Sequence, residues 1–391
     1  PWRPHRWHRR MQHDEQKALI RRALALIASG GTERGEPSLS PVSRYLDPER
    51  HAREVERIFR RHPLALCPSA ALARPGDTLA IDAAGMPLLL VRTREGELRG
   101  FVNACRHRGA RLRPAGVSNQ RVLVCPYHSW TYGLDGSLRG RPGEADFPHA
   151  PAADCQLARV PVAEALGFVW AIPRVASSED DARIDMEGWL GRFGADLRHW
   201  GYDRWVPFDQ REFANAANWK IPFEANLETY HFQYAHRDSI AQMFHDNLLI
   251  ADHDGAHQRI FLPKRGIEQL RELPEDQWQL GPHSNVIYYF FPATFILHEG
   301  DHANAFTVLP EAPERSRVIA TMLIPEPPAN EKAQRHWRRN LDSYWGALAE
   351  DFALGVSVQS TLASGAQSSL YLGATECCSA KFHADVEAAI A

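Results

Sequence analysis

Residues 103–109 read Asn-Ala-Cys-Arg-His-Arg-Gly and residues 125–132 read Cys-Pro-Tyr-His-Ser-Trp-Thr-Tyr, so each stretch brings a cysteine and a histidine together. The four side chains are Cys105, His107, Cys125 and His128. Their spacing is C-x-H, then seventeen residues, then C-x-x-H. Structural zinc sites usually place at least two residues between paired ligands, whereas a single arginine separates the first pair here. The spacing indicates a metal centre and disfavours zinc, which is the alternative.

Together the two stretches resemble the cluster-binding loops of Rieske 2Fe–2S proteins, with Ser129 at a position where glycine is commoner. The resemblance implies that the two cysteines hold one iron and the two histidines hold the other. Such ligation raises the reduction potential above that of an all-cysteine cluster. Pro126, Gly133 and Gly136 suit tight turns that would expose a cluster at the tip of a domain. The chain is therefore expected to transfer electrons.

A second motif occupies residues 228–236, which read Glu-Thr-Tyr-His-Phe-Gln-Tyr-Ala-His. The pattern E-x-x-H-x-x-x-x-H resembles the mononuclear iron motif of Rieske non-haem iron oxygenase alpha subunits, and the resemblance implies that His231 and His236 bind iron. Two imidazoles and one carboxylate on one face of Fe(II) leave positions open for dioxygen and substrate. Alone the motif would be weak evidence, because histidines among aromatic residues are more often packed or exposed side chains.

The spacing of the second motif also predicts an irregular backbone. At about 100° per residue, Glu228 and His231 lie on nearly one helical face, but His231 and His236 differ by roughly 140°. A regular helix cannot direct both imidazoles at one ion. We therefore predict a broken or π-bulged helix at this point, a distortion that is frequent at functional sites.

The third iron ligand is expected from a long amphipathic helix predicted over residues 331–363, where apolar residues recur at helical spacing. Within it, Glu350-Asp351-Phe352 resembles the segment that supplies the family's aspartate ligand. The resemblance implies Asp351, with Glu350 as the second choice. The alternative is that both carboxylates are solvated charges on an exposed helical face.

Glu228 is not expected to bind iron itself. The resemblance implies that it accepts a hydrogen bond from an iron-binding histidine and another from a cluster histidine, here His231 and His128, so that it bridges two metal centres. Ring-hydroxylating dioxygenases more often have aspartate at this position, whereas glutamate resembles the subgroup that oxidises carnitine and related quaternary ammonium compounds. Glu228 therefore favours a quaternary ammonium substrate, and aromatic substrates stay open as the alternative.

Aromatic residues near the second motif and on the predicted strands could line a substrate pocket, although packing between strands is the commoner role of such side chains. They are Phe223, Tyr230, Phe232, Tyr288, Tyr289, Phe290, Phe291, Phe295, His298 and Phe306.

Composition limits the class of protein. The 391 residues are 44% hydrophobic, which is enough for two cores, and the net charge of −3 gives no reason to expect nucleic acid or a membrane surface as partner. No apolar run reaches membrane-spanning length, and no secretory signal pattern is visible. The six cysteines are expected as cluster ligands and free thiols, which suits a reducing compartment. A cytoplasmic protein is the expectation.

The organisation is expected to be α+β. Residues 1–40 would form an N-terminal extension with a helix, 41–172 an antiparallel β Rieske domain, and 173–391 a catalytic domain in which a curved antiparallel sheet covers the long helix. The resemblance implies this helix-grip arrangement. The basic stretch 1–10 precedes Met11, and we expect the natural chain to start at Met11.

The resemblance further implies the terminal component of an oxygenase. Electrons from a reductase or ferredoxin would pass through the cluster to the iron, where dioxygen would be used to hydroxylate, or oxidatively dealkylate or cleave, a small organic substrate. A head-to-tail homotrimer, alone or as stacked trimers, would set His128 of one subunit against Glu228 of the next. A Rieske electron-transfer protein without oxygenase activity is the alternative from another class, and the second motif argues against it.

Overall fold

The computed structural model describes residues 13–391, so the candidate start at Met11 lies outside the described residues. The chain divides into two compact units. One unit is continuous and covers Phe59–Trp189, and the other combines Leu190–Ala391 with the segment that ends at Ile58. This division differs from the expected boundaries after residues 40 and 172. Residues 41–58 pack with the second half of the chain, because their polar side chains form hydrogen bonds with residues of that half. Lys220, for example, donates to both carboxylate oxygens of Glu54.

The continuous unit is built from three small antiparallel sheets, as expected for the Rieske part. The five-stranded sheet has the order Arg159–Val160, Leu98–Val102, Met86–Arg92, Asp77–Ala83, Gly116–Asn119. The second sheet has the order Val162–Ala165, Phe168–Ala171, Leu64–Pro68. The third has the order Leu123–Val124, Thr131–Tyr132, Leu138–Gly140. Short 3₁₀ turns lie at Ser69–Leu72, Glu144–Asp146 and Ala152–Cys155.

A glycine fixes the third sheet against the core of this unit. Gly136 has φ +87°, and a Cβ there would meet the Phe101 ring at 2.3 Å. Only a residue without a side chain fits both this backbone conformation and this approach. The turn that follows the second cysteine–histidine pair thereby lies against Phe101, on the strand that leads into the first pair.

The discontinuous unit contains a seven-stranded antiparallel sheet. Its order is Val206–Asn215, Arg315–Ile324, Ala303–Ala312, Thr294–His298, Ser284–Phe290, His257–Pro263, Ile250–Asp254. The long helix Glu331–Leu362 lies on one face of this sheet, where Leu341 packs against Met322 and Ile324. The expected α+β class and the sheet over a long helix are confirmed.

Shorter helices complete this unit. They span His13–Ser29, Ser43–Leu46, Pro48–Glu54, Ile221–Asn226, Phe232–Ala235 and Cys377–Ile390, and a further helix, Met186–Trp200, begins in the continuous unit and ends in this one. A π-helical turn at Val55–Phe59 follows the third helix, and 3₁₀ turns lie at Tyr202–Arg204, Ala241–Met243, Ile267–Glu272, Glu275–Gln277 and Gly281–His283. Ser38–Pro41 pairs with Ser369–Leu372 in a two-stranded sheet. None of the helices between residues 13 and 391 is both long and apolar enough to cross a bilayer.

Candidate metal centres

The first cysteine–histidine pair lies on a loop that closes on its own cysteine. The loop follows strand Leu98–Val102, and the Cys105 amide donates to the Ala110 carbonyl while the Cys105 carbonyl accepts from Gly109. The second loop joins strands Leu123–Val124 and Thr131–Tyr132. Its cysteine makes the equivalent pair of bonds, with the Trp130 carbonyl and the Ser129 amide.

Ser129 departs from the glycine that is commoner at this position, and its backbone shows why glycine is favoured. Its φ is +57°, in the left-handed region that residues with a side chain seldom adopt. The loop nevertheless keeps the bond from the Ser129 amide to the Cys125 carbonyl, at 3.1 Å. The substitution leaves the loop closed.

The four predicted cluster ligands converge at the two loops. Both thiols are buried, and the rings of His107 and His128 are 4.7 Å apart between centroids. The Nδ1 atoms of both imidazoles are buried and, among the described residues, have no hydrogen-bond partner. Buried polar atoms are seldom left unpaired in native structures. Two buried thiols and two buried, unpaired imidazole nitrogens on neighbouring loops fit a 2Fe–2S cluster with mixed cysteine and histidine ligation.

The iron motif has the irregular backbone that its spacing predicts. Helix Ile221–Asn226 ends before Glu228, and the next helix, Phe232–Ala235, is a single turn that ends at His236. The imidazole rings of His231 and His236 consequently approach to 5.0 Å between centroids. The prediction of a broken helix is confirmed, whereas no π-bulge lies between these two histidines.

Three ligand atoms meet beside this break. Asp351, on the helix Glu331–Leu362, places Oδ1 3.0 Å from His236 Nε2 and 3.5 Å from His231 Nε2. One ligand atom from each of these residues falls within 4.8 Å of the others. His231 Nε2 and Asp351 Oδ1 are buried without a good hydrogen-bond partner among the described residues. Two imidazoles and a carboxylate in this arrangement fit the facial set that binds non-haem Fe(II).

Two further carboxylates orient the imidazoles. Glu228 Oε1 is bonded to His231 Nδ1, and Glu350 Oε2 lies 2.6 Å from His236 Nδ1. Because a carboxylate accepts the Nδ1 proton in each case, the Nε2 lone pair of each ring is free to bind a metal. Ser239 Oγ donates to Glu350 at 2.8 Å, and the hydrogen bond from His236 lowers the pKa of Glu350. Glu350, the second choice for the iron ligand, therefore contacts the far side of the imidazole.

The long helix is held close to the motif by a glycine and a glutamine. A Cβ at Gly355 would meet Ile221 Cγ2 at 2.9 Å, so the helices approach one another closely just one turn after Asp351. Gln359 Oε1 accepts from the Asn218 amide at 2.9 Å. These contacts bring a carboxylate more than a hundred residues distant in sequence to the two histidines.

Four of the ten aromatic residues considered as pocket lining pack against one another. Phe306 lies between Phe295 and Phe223, at 4.6 and 5.6 Å between centroids, and Phe223 also contacts Tyr289 at 5.3 Å. Tyr230 is exposed, and His298 is buried beside Trp200 at 4.0 Å. These contacts agree with the commoner role, packing between strands and helices.

Protein-family comparison identifies two domains in the chain. The Rieske [2Fe-2S] domain matches residues 62–159, and the ring hydroxylating alpha subunit (catalytic domain) matches residues 202–391. The two matches fall within the two units described above and include both pairs of cluster-ligand candidates and the three iron-ligand candidates.

Characterised relatives match over half of this chain. The chloroplastic choline monooxygenase of Beta vulgaris is 31% identical over 214 residues, which are 54% of this chain and 47% of that protein. The glycine betaine monooxygenase oxygenase subunit of Chromohalobacter salexigens is 32% identical over 204 residues, 52% and 44% of the two chains. The chain thus spans about half the length of the curated relatives it matches.

Solved structures share the fold over nearly the whole chain. The quaternary ammonium Rieske monooxygenase CntA, in complex with L-carnitine, aligns with a TM-score of 0.72 and 20% identity, covering 90% of this chain and 95% of that chain. Naphthalene 1,2-dioxygenase from Rhodococcus, bound to indole, aligns with a TM-score of 0.73 and 19% identity, covering 96% and 98%.

Proposed function

The chain belongs, by both of its matched domains, to the Rieske oxygenase alpha subunits, and from that premise we propose that it is the terminal component of an oxygenase. It would use dioxygen and electrons from a reductase or ferredoxin to hydroxylate, or oxidatively dealkylate or cleave, a small organic molecule. The observation that carries the proposal is the meeting of His231, His236 and Asp351, with both Nε2 atoms beside the Asp351 carboxylate and both Nδ1 atoms bonded to other carboxylates.

Each residue has a defined role in this proposal. Cys105, His107, Cys125 and His128 hold the 2Fe–2S cluster, and His231, His236 and Asp351 hold Fe(II). When bound, the cluster supplies single electrons and the ferrous ion supplies the site at which dioxygen is reduced. Glu228 and Glu350 accept hydrogen bonds from the Nδ1–H groups of the two iron-binding histidines. These bonds fix the orientations of the two rings.

Quaternary ammonium compounds are the favoured substrate class. Two observations support this choice: the matched relatives include choline and glycine betaine monooxygenases, and Glu228 stands at a position where ring-hydroxylating enzymes more often have aspartate. Aromatic ring hydroxylation is the second candidate, because an anthranilate 1,2-dioxygenase large subunit from Acinetobacter baylyi also matches at 29% identity over 215 residues.

The same proposal includes an assembly and a compartment. A head-to-tail homotrimer, alone or in stacked pairs, would place His128 of one subunit against Glu228 of the next, since a heterologous interface that closes forms a ring. A cytoplasmic or otherwise reducing location is supported by the six cysteines, none of which forms a disulfide.

A single-turnover assay tests the function. Chemically reduced protein loaded with cluster and iron is mixed with oxygen and with a panel of quaternary ammonium compounds and aromatic acids, and products are identified by mass spectrometry. Loss of an alkyl group or chain cleavage from an ammonium compound supports the favoured class, and ring hydroxylation supports the second. The His231→Ala variant is expected to keep the cluster spectrum and give no product. Product formation by this variant would refute the iron site, and a fully loaded wild type inactive on the whole panel would refute both substrate classes.

A further inference from the structure

An aromatic stack lies against one of the proposed cluster ligands. The Trp130 ring is nearly parallel to the His107 imidazole, with 5.0 Å between centroids and 4° between planes. Phe147 meets both rings edge-on, 5.5 Å from His107 and 5.3 Å from Trp130. Trp130 is buried in the hydrophobic core that also contains both cluster cysteines. The orientation of the imidazole is therefore set by two aromatic neighbours as well as by its loop.

A buried arginine completes this stack. The Arg141 guanidinium carbon lies 5.0 Å from the Trp130 ring centre and 4.9 Å from that of Phe147. Its side chain is only 2% exposed. Because His107 and Arg141 are each 5.0 Å from the centre of the same indole, the guanidinium is within twice that distance of the imidazole. A cation over an aromatic face is attracted by the ring quadrupole, and more strongly when it is desolvated.

The partners of Arg141 hold it in this position. Its Nε and Nη2 atoms donate to the two carboxylate oxygens of Glu144 at 2.9 and 2.8 Å. Nη2 also donates to the Phe147 carbonyl at 3.4 Å, and Nη1 lies 3.8 Å from the Cys155 sulfur. The guanidinium thus links the segment after the second cluster loop to the rings that pack on His107.

In the Arg141–Glu144 ion pair, the positive charge contributes more to the electrostatic potential at the two cluster loops than the negative charge does. The Glu144 side chain is 62% exposed and is therefore screened by water, whereas the guanidinium is shielded from it. Charges in a low-dielectric interior act over longer distances than exposed charges. The group bound between the two loops would consequently experience a net positive potential from this direction. An electron added to that group is stabilised by such a potential, and its reduction potential rises.

We propose that Arg141 is a positioning residue for the cluster, which clamps Trp130 and Phe147 against His107 and raises the reduction potential of the 2Fe–2S centre. The inference rests on the proposed cluster ligation and is independent of the substrate. It assigns a function to a segment, residues 141–147, that contains none of the proposed ligands.

The test is a redox titration of cluster-replete protein, followed by its visible and electron paramagnetic resonance spectra. In Arg141→Gln the midpoint potential is expected to fall, with a roughly threefold to tenfold loss in the equilibrium constant for one-electron reduction, tenfold being about 59 mV. Arg141→Lys keeps the charge and is expected to recover part of the loss. Arg139→Gln is the matched control, because Arg139 is an exposed arginine that is paired with Asp135 in the same segment. Its potential is expected to equal that of the wild type.

A charge effect is separated from a merely structural one by Glu144→Gln. Removing the exposed carboxylate leaves the buried guanidinium uncompensated, so the potential is expected to rise. A lower midpoint potential in both Arg141→Gln and Glu144→Gln would mean that the cluster loops had loosened, and it would overturn the proposal. An unchanged midpoint potential in Arg141→Gln with intact spectra would also overturn it. If Arg141→Gln assembles no cluster, the opposite shifts expected of Arg141→Lys and Glu144→Gln still decide the question. A wild type without the cluster spectrum would instead refute the ligation itself.

Discussion

Two adjacent carboxylates, Glu350 and Asp351, have different positions at the iron site. Successive helical residues point about 100° apart, so only one of them can face the Nε2 atoms of the two histidines. Asp351 takes that place, and Glu350 reaches Nδ1 of His236. The shorter side chain is placed where the metal would bind, and the longer one reaches around the ring.

The first prediction concerns separate substitutions of these two residues. Asp351→Ala removes one of three ligands, so the iron content of purified protein is expected to fall to near zero while the cluster spectrum persists. Glu350→Gln is expected to weaken iron binding by roughly 10- to 100-fold, as for other groups that orient a metal-binding histidine. Metal analysis after dialysis against graded chelator measures both. Asp342→Asn, an exposed change on the same helix, is the control, and equal losses in the Glu350 and Asp342 variants would contradict the assignment.

Glu228 provides the second prediction. Glu228→Gln keeps the side-chain length but replaces one acceptor oxygen by an amide, so iron binding should weaken as in Glu350→Gln. Once both metals are loaded to full occupancy, electron transfer between cluster and iron should be slower than in the wild type. Rapid mixing of reduced, fully loaded protein with oxygen and substrate, followed at the cluster absorbance, gives the rate. Asp238→Asn, at a 90% exposed carboxylate nearby in sequence, is the control. A wild-type rate in Glu228→Gln would exclude the bridging role.

At the residue scale, the sequence predicts the ligands and one of their supports, Glu228, but it does not predict the others. Cys105, His107, Cys125 and His128 occur at short spacing, so a local pattern is enough to single them out. The bond between Glu350 and His236 joins residues 114 apart in sequence and depends on the rotation of a helix about its axis. The stacking of Trp130 on His107 likewise depends on side-chain packing, and no local sequence pattern predicts it.

At the scale of elements, the approach of the long helix to the iron motif is set at Gly355. Gly355→Leu forces a side chain toward Ile221, 2.9 Å from the position of its Cβ. Such overpacking typically costs about 1–3 kcal/mol of unfolding free energy, and the displaced helix should also bind iron less tightly. Gly346→Leu is the matched control, because a Cβ there meets nothing within 4 Å, and it should be neutral or stabilising. Urea unfolding and iron titration of the two variants test this third prediction, and equal behaviour would contradict it.

The hairpin between strands Thr294–His298 and Ala303–Ala312 gives a prediction about pH. Burial disfavours the charged form of His302, but Asp301, at 2.8 Å, and Glu299, at 3.4 Å, outweigh it and raise its pKa to about 9. Since this pKa lies above the unfolded value of 6.5, the contribution to stability is complete below pH 6.5 and is lost as pH rises through 9.

The fourth prediction is that wild-type stability falls more steeply between pH 6.5 and 9 than that of His302→Gln. Urea unfolding at a series of pH values measures both slopes. Parallel curves would show that His302 is not charged in the folded protein.

Elements with a strong local signal are predicted well. The long helix over 331–363 is observed as Glu331–Leu362, because its apolar spacing is regular throughout. The break between the two iron-motif histidines follows from their spacing alone. Helix Met186–Trp200 was not predicted, and it is kinked at Gly191, whose φ of 53° interrupts the helical path close to the division between the two units.

At the scale of the whole molecule, an ion pair joins the chain before the cluster unit to the chain after it. Lys220 Nζ lies 2.9 and 2.7 Å from the two carboxylate oxygens of Glu54, and both side chains are fully buried. Trp219 Nε1 and Arg50 Nε donate to the same carboxylate at 2.7 and 2.8 Å. Each carboxylate oxygen of Glu54 thus accepts two hydrogen bonds. These bonds hold the segment that ends at Ile58 against residues 219 and 220.

The fifth prediction concerns this ion pair. Lys220→Met removes one cation from the buried Glu54 carboxylate and leaves Arg50 paired with it, so the expected cost is at the lower end of the about 3–5 kcal/mol of unfolding free energy typical of a broken buried pair. Arg335→Met removes one member of an exposed pair with Glu331 and should cost well under 1 kcal/mol. Denaturant unfolding compares the two. A cost for Lys220→Met as small as that of the exposed control would show that the pair does not fasten the segment.

The division of the chain could not be predicted, because the segment 41–58 has no local feature that ties it to either neighbour. Its assignment rests on contacts with residues far along the chain, such as that of Tyr45 with Glu224 at 2.9 Å. The expected boundary after residue 172 lies seventeen residues before the observed end of the continuous unit at Trp189.

The discontinuous unit has a consequence for biosynthesis. A ribosome makes the segment up to Ile58, then all of Phe59–Trp189, and only afterwards Lys220 and the iron-binding residues. The first helices therefore emerge without the partners that bury Glu54. The 59–189 unit, in contrast, is complete while the rest is still being translated. The four cluster-ligand candidates are therefore in place before the mononuclear site exists, and the two metal sites are completed in a fixed order.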